Sequence, residues 1–263
     1  MTAPGYPGAP GMSDGIKHVT FSFATVCVGK PYVDYFASII KNYFDKNLPQ
    51  STNIYIHTDD PYYCGFKFKE YKNVKVIDFR TELAAYGITP FNYRDNDCIK
   101  VKSFLKTFYL DRNDILFYVD ADMILHHYDE NEFEKQFCNE GFYYELCHTY
   151  EEEKDIEEHT MKRVRQIKEI GVPLQFMKKD NKIIFPIERY WGLKRTFDQK
   201  EKVFMNEFAH LFDLMMRNGM KDDLYTETVE IGHCVSKAFG DSNSLISNGL
   251  TFMETSGATG ELR

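Results

Sequence analysis

The sequence predicts an α/β protein in which a mostly parallel, Rossmann-like sheet is flanked by helices. Strand-like and helix-like segments alternate over the first 125 residues, as they do in chains that build parallel sheets. The run at residues 115–119 is apolar throughout, which is typical of a central strand covered on both faces. With 263 residues, of which 43% are hydrophobic, the chain is long enough to bury a substantial core.

Three strands and one helix are predicted before residue 80. Residues 18–28 alternate apolar side chains with others, which is the pattern of a strand. Pro31 follows Gly29 and Lys30 and predicts a helix, because proline is favoured in the first helical turn. Residues 53–57 and 74–79 are the next two predicted strands.

The remaining predicted elements begin at residue 98. Residues 98–110 form a helix whose apolar positions recur every three or four residues, and the strand at 115–119 follows. Residues 151–170 begin acidic and end basic, which predicts an exposed helix whose charges complement its dipole; a mobile lid is the alternative. Residues 182–188 are a strand and residues 196–218 a long helix.

Composition narrows the possible partners and location. The formal net charge of −8 argues against a general binder of nucleic acid or of lipid surfaces, since both require a positive face. No apolar run approaches the roughly 18 residues of a membrane-spanning helix. Residues 1–15 are rich in Pro, Gly and Ala and resemble a disordered leader or an expression remnant, not a signal peptide. These features favour a cytoplasmic protein and leave the oligomeric state open.

Polar residues follow several predicted strands at the point where each strand ends. Residues 25–29 and 58–60 occupy this position in the first two strands, and Asp120 and Asp122 follow the strand at 115–119. Ligands of doubly wound sheets bind outside the carboxyl ends of the strands. We therefore expect these three loops to converge on one crevice.

Asp120 and Asp122 are the strongest candidates for a metal site. They lie between two apolar segments, and burying an unpartnered carboxylate costs several kcal/mol. Mn²⁺ or Mg²⁺ takes oxygen ligands and, when it also binds a diphosphate, needs only one or two carboxylates. Asp95 and Asp97 share the spacing in polar surroundings, so the spacing alone is weak. The alternative is a structural pair that caps the next turn.

The segment Val119-Asp120-Ala121-Asp122 resembles the DxD motif of the GT-A glycosyltransferases, which use nucleotide-sugar donors. The resemblance implies a single GT-A domain over residues 16–263. In this division residues 16–125 bind the nucleotide sugar, and residues 126–263, with the charged helix, face the acceptor. It also implies that Asp122 is the principal metal ligand and that Asp120 is its partner, contacting the metal or the donor ribose, with Ala121 beside the donor.

A second resemblance narrows the family. Ile99-Lys100-Val101-Lys102 resembles the basic segment that precedes the motif in the α1,3-galactosyltransferase and ABO blood-group transferase family. There the first basic residue reaches the donor, which makes Lys100 the candidate donor contact and Lys102 a lesser one. Two residues apart on a helix, they point to nearly opposite sides. A surface lysine is the alternative for each.

The acceptor side follows from the same resemblance. Trp191 and Gly192 occupy the place of a Gly-Gly pair that contacts the acceptor, although only one glycine is present here. Glu227 and Glu230 compete for the place of the carboxylate beside the anomeric carbon, and distance from Trp191 favours Glu227. The stereochemical outcome stays open, with retention implied by the family. For Trp191 a core position is the alternative.

The remaining candidates line the donor site by resemblance. Thr25 and Val26 lie in the loop that would cradle the nucleobase, Tyr32 could stack on the base, and Asp59 could bind the base or ribose. A core position and a turn cap are the alternatives for Tyr32 and Asp59. His233 resembles a C-terminal metal-binding histidine of glycogenin-like relatives, and a buried structural histidine is the alternative.

The predicted function is therefore metal-dependent transfer of a hexose from a nucleotide-diphosphate sugar, with UDP as the expected nucleotide, to a glycan or other hydroxyl acceptor. A non-catalytic nucleotide- or carbohydrate-binding module of the same fold is one alternative. A haloacid-dehalogenase-like phosphatase is another, since it also places Asp-x-Asp after an apolar strand. About 100 residues precede the strand here, whereas that motif usually begins its domain.

Overall fold

A mixed sheet of eight strands forms the centre of the fold in the computed structural model. The model describes residues 18–44, 48–49, 51–85, 87–89, 98–137, 141–195, 199–218, 220, 227–240, 244–245 and 250–254. The strands are β1 (Phe21–Cys27), β2 (Asn53–Thr58), β3 (Val74–Asp78), β4 (Ile115–Val119), β5 (Met123–Tyr128), β6 (Phe142–Tyr150), β7 (Met177–Lys179), β8 (Lys182–Lys194), β9 (Ser244–Leu245) and β10 (Leu250–Glu254).

Helices connect the strands and flank the sheet. They are α1 (Lys30–Ile39), which continues into a π-helical turn at Ile40–Phe44, α2 (Pro61–Lys67), α3 (Arg80–Ala85), α4 (Cys98–Leu110), α5 (Glu130–Phe137), α6 (Glu158–Glu169), α7 (Gln199–Arg217) and α8 (Glu227–Phe239). Within the described ranges, none of these helices combines the length and the apolar character needed to cross a bilayer.

The strand order is β3-β2-β1-β4-β8-β6-β9, with β7 paired to β8. The first four strands are parallel: β1 pairs with β2 on one side and with β4 on the other. Strands β8 and β6 then continue the sheet in antiparallel fashion beyond β4, while β5 and β10 form a separate antiparallel pair. The fold is therefore α/β with a mostly parallel, mixed central sheet, compatible with a Rossmann-like architecture.

Each face of the sheet carries its own apolar core. On one face Trp191 packs against Phe104 and Phe204, which come from α4 and α7. On the other face Phe117 packs against Phe133 of α5, within a cluster that also includes apolar residues of α1. Strand β4 is buried along its whole length because both cores cover it.

Several predicted elements are confirmed within the described residues. The helix at 98–110 and the strand at 115–119 have the predicted bounds. The charged segment forms a 3₁₀ turn at Glu153–Asp155 and then α6, whose buried residues include Arg163 and Ile167. One prediction needs extension, because the strand expected at 182–188 continues to Lys194. The leader at 1–15 and the polar pair Asp95 and Asp97 lie outside the described residues.

Candidate functional site

The carboxyl ends of β1 and β4 meet where the strand order reverses. Strands β2 and β3 lie on one side of β1, whereas β4 lies on the other, so the chain changes direction across the sheet between β1 and β4. Open α/β sheets bind ligands in the crevice at such a switch point. Here that crevice is bordered by Gly29 after β1, by Asp59 after β2 and by Asp120 after β4, and we call it the switch-point crevice.

Asp120 begins a tight turn that fixes the orientation of its carboxylate. Its backbone N–H donates to the carbonyl of Arg189 on β8 (2.8 Å), and its carbonyl accepts from the N–H of Met123 (3.1 Å). The Tyr118 hydroxyl donates to Oδ1 of Asp120 at 2.8 Å. The side chain of Asp120 is 20% exposed, so the carboxylate is held between the sheet and solvent.

Lys100 reaches the same carboxylate from α4. Its ammonium group donates to Oδ2 of Asp120 at 3.4 Å, and both side chains are 20% exposed. The structure thus brings together two residues that the sequence separates by a helix and a strand. Lys102, which points elsewhere as predicted, donates to Asp213 of α7 at 3.2 Å. Lys100 places a positive charge where an anionic group would approach Asp120.

Ala121 and Asp122 complete the turn between β4 and β5. The Ala121 side chain is buried at 8% exposure in the core on the α5 side of the sheet, so any contact from this residue to a ligand in the crevice would use its backbone. Asp122 is partly exposed. Because Ala121 is anchored between them, the two carboxylates are carried by a backbone whose position is fixed by core packing.

A second carboxylate joins the loops after β1 and β2. Oδ1 of Asp59 accepts the backbone N–H of Gly29 at 2.7 Å. Gly29 has φ of 87°, a conformation that favours glycine, and it directly precedes α1. Asp60 accepts the N–H of Tyr63 and caps α2. Asp59 therefore lies at the predicted crevice, and one of its carboxylate oxygens already accepts a hydrogen bond from the loop after β1.

The side chains predicted to cradle a nucleobase lie mostly inside the protein. Thr25 and Val26 are 1% and 5% exposed, and Oγ1 of Thr25 has no hydrogen-bond partner among the residues that the structure describes. Tyr32 is half-buried on α1 and packs against the core on that side of the sheet. A ligand at the end of β1 would accordingly meet the backbone of this loop, while Tyr32 has the packing of a core residue.

Trp191 and Gly192 lie in the centre of the sheet, whereas the predicted acceptor role would require them to face a ligand. Trp191 is 2% exposed and stacks on Tyr118 with a centroid distance of 6.0 Å. A Cβ atom on Gly192 would lie 2.4 Å from the ring of Phe117 on β4. Trp191 is therefore a core residue, as the alternative interpretation held. Its ring is enclosed and presents no face to a sugar in this structure.

The candidates on α8 are engaged in buried contacts. Nε of Arg163 on α6 donates to Oε1 of Glu230 at 2.6 Å, with the two side chains 1% and 7% exposed. Glu227 begins α8, and its side chain lies outside the described part of the structure. Glu230 is thus part of a buried ion pair that joins α6 and α8.

Both ring nitrogens of His233 have partners within the protein. Nδ1 accepts the backbone N–H of Gln175 at 3.0 Å, which leaves Nε2 as the proton donor to Glu207 at 3.2 Å. Burial lowers the pKa of His233, although its hydrogen bond to Glu207 acts in the opposite direction. In this arrangement the ring has no lone pair to offer a metal. His233 is therefore a buried structural histidine, as the alternative interpretation held.

The carboxylates of the switch-point crevice suit a hard divalent cation that also binds a diphosphate. Such a cation is held by one or two carboxylates and takes its other ligands from phosphate and water. Asp120 accepts hydrogen bonds from Tyr118 and Lys100, and Asp122 lies partly exposed two residues further on. Within the described residues, three groups that could bind a metal converge at His18, Glu130 and Glu134, of which His18 and Glu130 are exposed and Glu134 is partly exposed. His18 precedes β1 and so lies near the opposite edge of the sheet.

Among the described residues, Tyr118 is a contributor to the site that sequence reasoning missed. It lies in the apolar run of β4 and is 1% exposed, so the pattern assigned it to the core. Its hydroxyl nevertheless donates to Asp120 two residues further on. The signal was present, because a tyrosine buried in an apolar strand requires a partner for its hydroxyl.

Comparisons with models of protein families and with curated protein sequences give no match for this chain. The fold and the crevice therefore define only a class, an α/β protein with a Rossmann-like sheet order and a carboxylate turn at its switch point. Any activity has to be argued from the side chains of the crevice.

Proposed function

We propose that this protein is a metal-dependent glycosyltransferase that transfers a hexose from a nucleoside-diphosphate sugar, with UDP as the expected nucleotide, to a hydroxyl acceptor. The observation that carries this proposal is the turn holding Asp120 and Asp122 at the switch point of the sheet, with Lys100 at 3.4 Å from Asp120. Two carboxylates beside a cation at this position match the needs of a diphosphate–metal complex.

The crevice supplies charge of both signs for the leaving diphosphate. Asp122, with Asp120 as its partner, would hold Mn²⁺ or Mg²⁺, and the ion would neutralise charge that develops on the diphosphate as the glycosidic bond breaks. The Lys100 ammonium, which lies 3.4 Å from Asp120, would contact the phosphate oxygens. Tyr118 keeps Asp120 oriented through its hydroxyl. The backbone of the loop after β1 would face the nucleoside.

The carboxylate that would act at the anomeric carbon is proposed to be Glu227. Glu230 is committed to Arg163 in a buried ion pair, and separating that pair would leave a charge without its partner. A retaining outcome rests on the family resemblance. If the enzyme inverts, the same carboxylate would be the candidate general base.

The test is calorimetric titration of UDP with and without Mn²⁺, together with a UDP-release assay over a panel of sugar donors. We expect Mn²⁺ to strengthen UDP binding and the D122N variant to lose this effect and all transfer. D180N is the matched control, because Asp180 is an exposed aspartate in the β7–β8 turn with φ of 50°, which asparagine adopts readily.

Three other results would each indicate a different function. Full activity of D122N in EDTA-treated buffer would end the metal proposal. UDP binding without turnover of any donor would indicate a binding module of the same fold. Release of phosphate from a sugar phosphate, with no requirement for a nucleotide sugar, would indicate a phosphatase.

A further inference from the structure

Three side chains with metal-binding groups converge at the amino end of β1. Nδ1 of His18 lies 2.7 Å from Oε1 of Glu134 and 3.9 Å from Oε1 of Glu130. One ligand atom from each of the three residues lies within 4.8 Å of those of the other two. We call this set the β1–α5 cluster, because His18 precedes β1 and the two glutamates lie on α5.

The spacing of these atoms suits a small divalent ion. Bonds from zinc to histidine nitrogen or carboxylate oxygen are about 2.0–2.2 Å long, so two ligand atoms of a tetrahedral site are about 3.4 Å apart. The separations of Nδ1 of His18 from the two glutamates lie on either side of this value. Small rotations of the side chains are therefore enough to surround an ion, and three protein ligands leave a fourth position for water.

The backbone on each side of the cluster is fixed. Phe133 of α5 is buried, and the centroid of its ring lies 4.5 Å from that of Phe21 at the start of β1. The backbone N–H of Thr20, two residues after His18, donates to Asp114 at 2.9 Å. The two segments thus face each other before any metal arrives, and binding has to order only side chains.

The two glutamates share one basic partner. Among the described residues, His18 is the only basic side chain with a nitrogen within 4.0 Å of the carboxylate of Glu130 or Glu134. Lys135, the lysine of α5, donates to Glu132 instead, at 2.8 Å. A protonated imidazole balances one carboxylate and a neutral imidazole balances none. The cluster therefore has an excess of negative charge that a divalent cation would neutralise, and Glu134 carries part of it at 16% exposure.

The types of ligand indicate the class of metal. Imidazole nitrogen suits zinc, copper, iron and nickel, whereas magnesium, calcium and manganese prefer oxygen ligands. One imidazole with two carboxylates is a set that zinc accepts, and zinc binds such ligands more tightly than manganese does. The cluster thus differs in chemistry from the carboxylates of the switch-point crevice.

We propose that the β1–α5 cluster binds a divalent transition-metal ion, with Zn²⁺ as the expected ion, and so joins the start of β1 to α5. The crevice lies at the other end of β1, a strand of seven residues and hence about 20 Å long. The two sites are therefore separate. This inference does not depend on the proposed transferase activity.

The test is calorimetric titration of Zn²⁺ into the full chain, freed of metal with EDTA and dialysed. We expect D122N to keep a Zn²⁺ site that H18A and E134Q lose. Each of the latter should bind at least about tenfold more weakly, since loss of a group that merely orients a ligand already costs that factor. Zn²⁺ should also raise the urea midpoint of the wild type more than that of H18A, because it binds the folded chain.

Matched controls separate the cluster from general effects. H159A removes a histidine that is also exposed and lies 3.4 Å from a glutamate, Glu157. E132Q removes an exposed carboxylate of α5 that lies outside the cluster. Both should bind Zn²⁺ as the wild type does. H18A alters a side chain that is 77% exposed, so its urea midpoint without metal should match that of the wild type.

Several results would overturn the proposal. Unchanged Zn²⁺ affinity in H18A and E134Q would show that the cluster is an ion pair only. Equal loss in H159A, or loss in a variant of the exposed His126 or His127 in place of H18A, would assign the metal to another site. Absence of Mn²⁺-dependent UDP binding in the wild type would end the proposed function and leave the zinc result unaffected.

Discussion

At the scale of single residues, Asp120 shows how the fold prepares a carboxylate for a ligand. Tyr118 and Lys100 approach its two oxygens from the sheet and from α4, so the group is oriented before any ligand arrives. Its charge is partly balanced by Lys100. This arrangement lowers the cost of keeping a carboxylate at a strand end with only 20% of its side chain exposed.

The Tyr118 hydroxyl is expected to matter for metal-dependent UDP binding. In Y118F the Asp120 carboxylate loses its fixed partner at 2.8 Å, and removal of a group that orients a ligand typically weakens metal binding by about tenfold. The measurement is UDP titration at several Mn²⁺ concentrations. Y143F is the control, because the Tyr143 hydroxyl is also buried but donates to the carbonyl of Phe137. Equal affinities for Y118F and wild type would show that Tyr118 serves only packing.

Gly192 is expected to be required for stability. A Cβ atom there would lie 2.4 Å from the Phe117 ring in the middle of the sheet, so the ring or the strand must shift. We expect G192A to lose about 1–3 kcal/mol of unfolding free energy in urea. The control is G65A, since a Cβ atom on Gly65 in α2 meets nothing within 4 Å and alanine favours the helix. An unchanged urea midpoint for G192A would contradict this account.

At the scale of elements, the periodic segments and the first part of strand β8 were predicted, whereas the continuation of β8 to Lys194 was not. The bounds of α4 and β4 follow from uniform apolar patterns that both cores then bury. Strand β8 carries Arg189 in its middle, and no local pattern indicates that the residues after it pair with β4. Trp191 and Gly192 were assigned to the acceptor site by resemblance, whereas cross-strand packing explains their positions.

The ion pair between α6 and α8 is expected to hold these helices together. Removing one partner of a buried pair costs about 3–5 kcal/mol because the other charge stays buried. We expect E230A to lose stability in this range by urea unfolding. R165A is the control, since Arg165 pairs with Glu158 at the surface and an exposed pair contributes about 1 kcal/mol or less. Loss of transfer with unchanged stability would instead assign Glu230 to catalysis.

At the scale of the whole molecule, topology made the site position predictable and left its chemistry open. The alternation of strands and helices placed residues 25–29, Asp59 and Asp120 at one edge of the sheet, and the structure has them there. Which side chains face the crevice depends on strand pairing and helix packing. Thr25 and Val26 turn inward, and α8 buries Glu230 and His233, for reasons that no local pattern contains.

Stability is expected to fall at acidic pH because of His57. This ring is buried on β2, with Nε2 at 2.7 Å from Oγ1 of Thr107, and burial lowers its pKa to about 3. The unfolded chain takes up a proton near pH 6.5, whereas the folded chain does not until about pH 3. The unfolded state is therefore favoured as pH falls through this window, by up to about 1.4 kcal/mol per pH unit.

Urea unfolding from pH 7.5 to 4.5 tests this expectation. H57Q keeps a side-chain partner for Thr107 but cannot titrate, so its stability should depend less steeply on pH than that of the wild type. H126Q, at an exposed position on β5, is the control and should follow the wild-type profile. The same slope for H57Q and wild type would mean that other groups cause the acid sensitivity.

The pairing of β8 with β4 also sets an order of events during synthesis. The turn at Asp120 is anchored by the carbonyl of Arg189, and β4 borders β8 on one edge. A nascent chain that ends before this strand has β4 as an unpaired, apolar edge, and such edges recruit other chains. The candidate site is thus completed late, and we expect chains of intermediate length to expose the β4 edge.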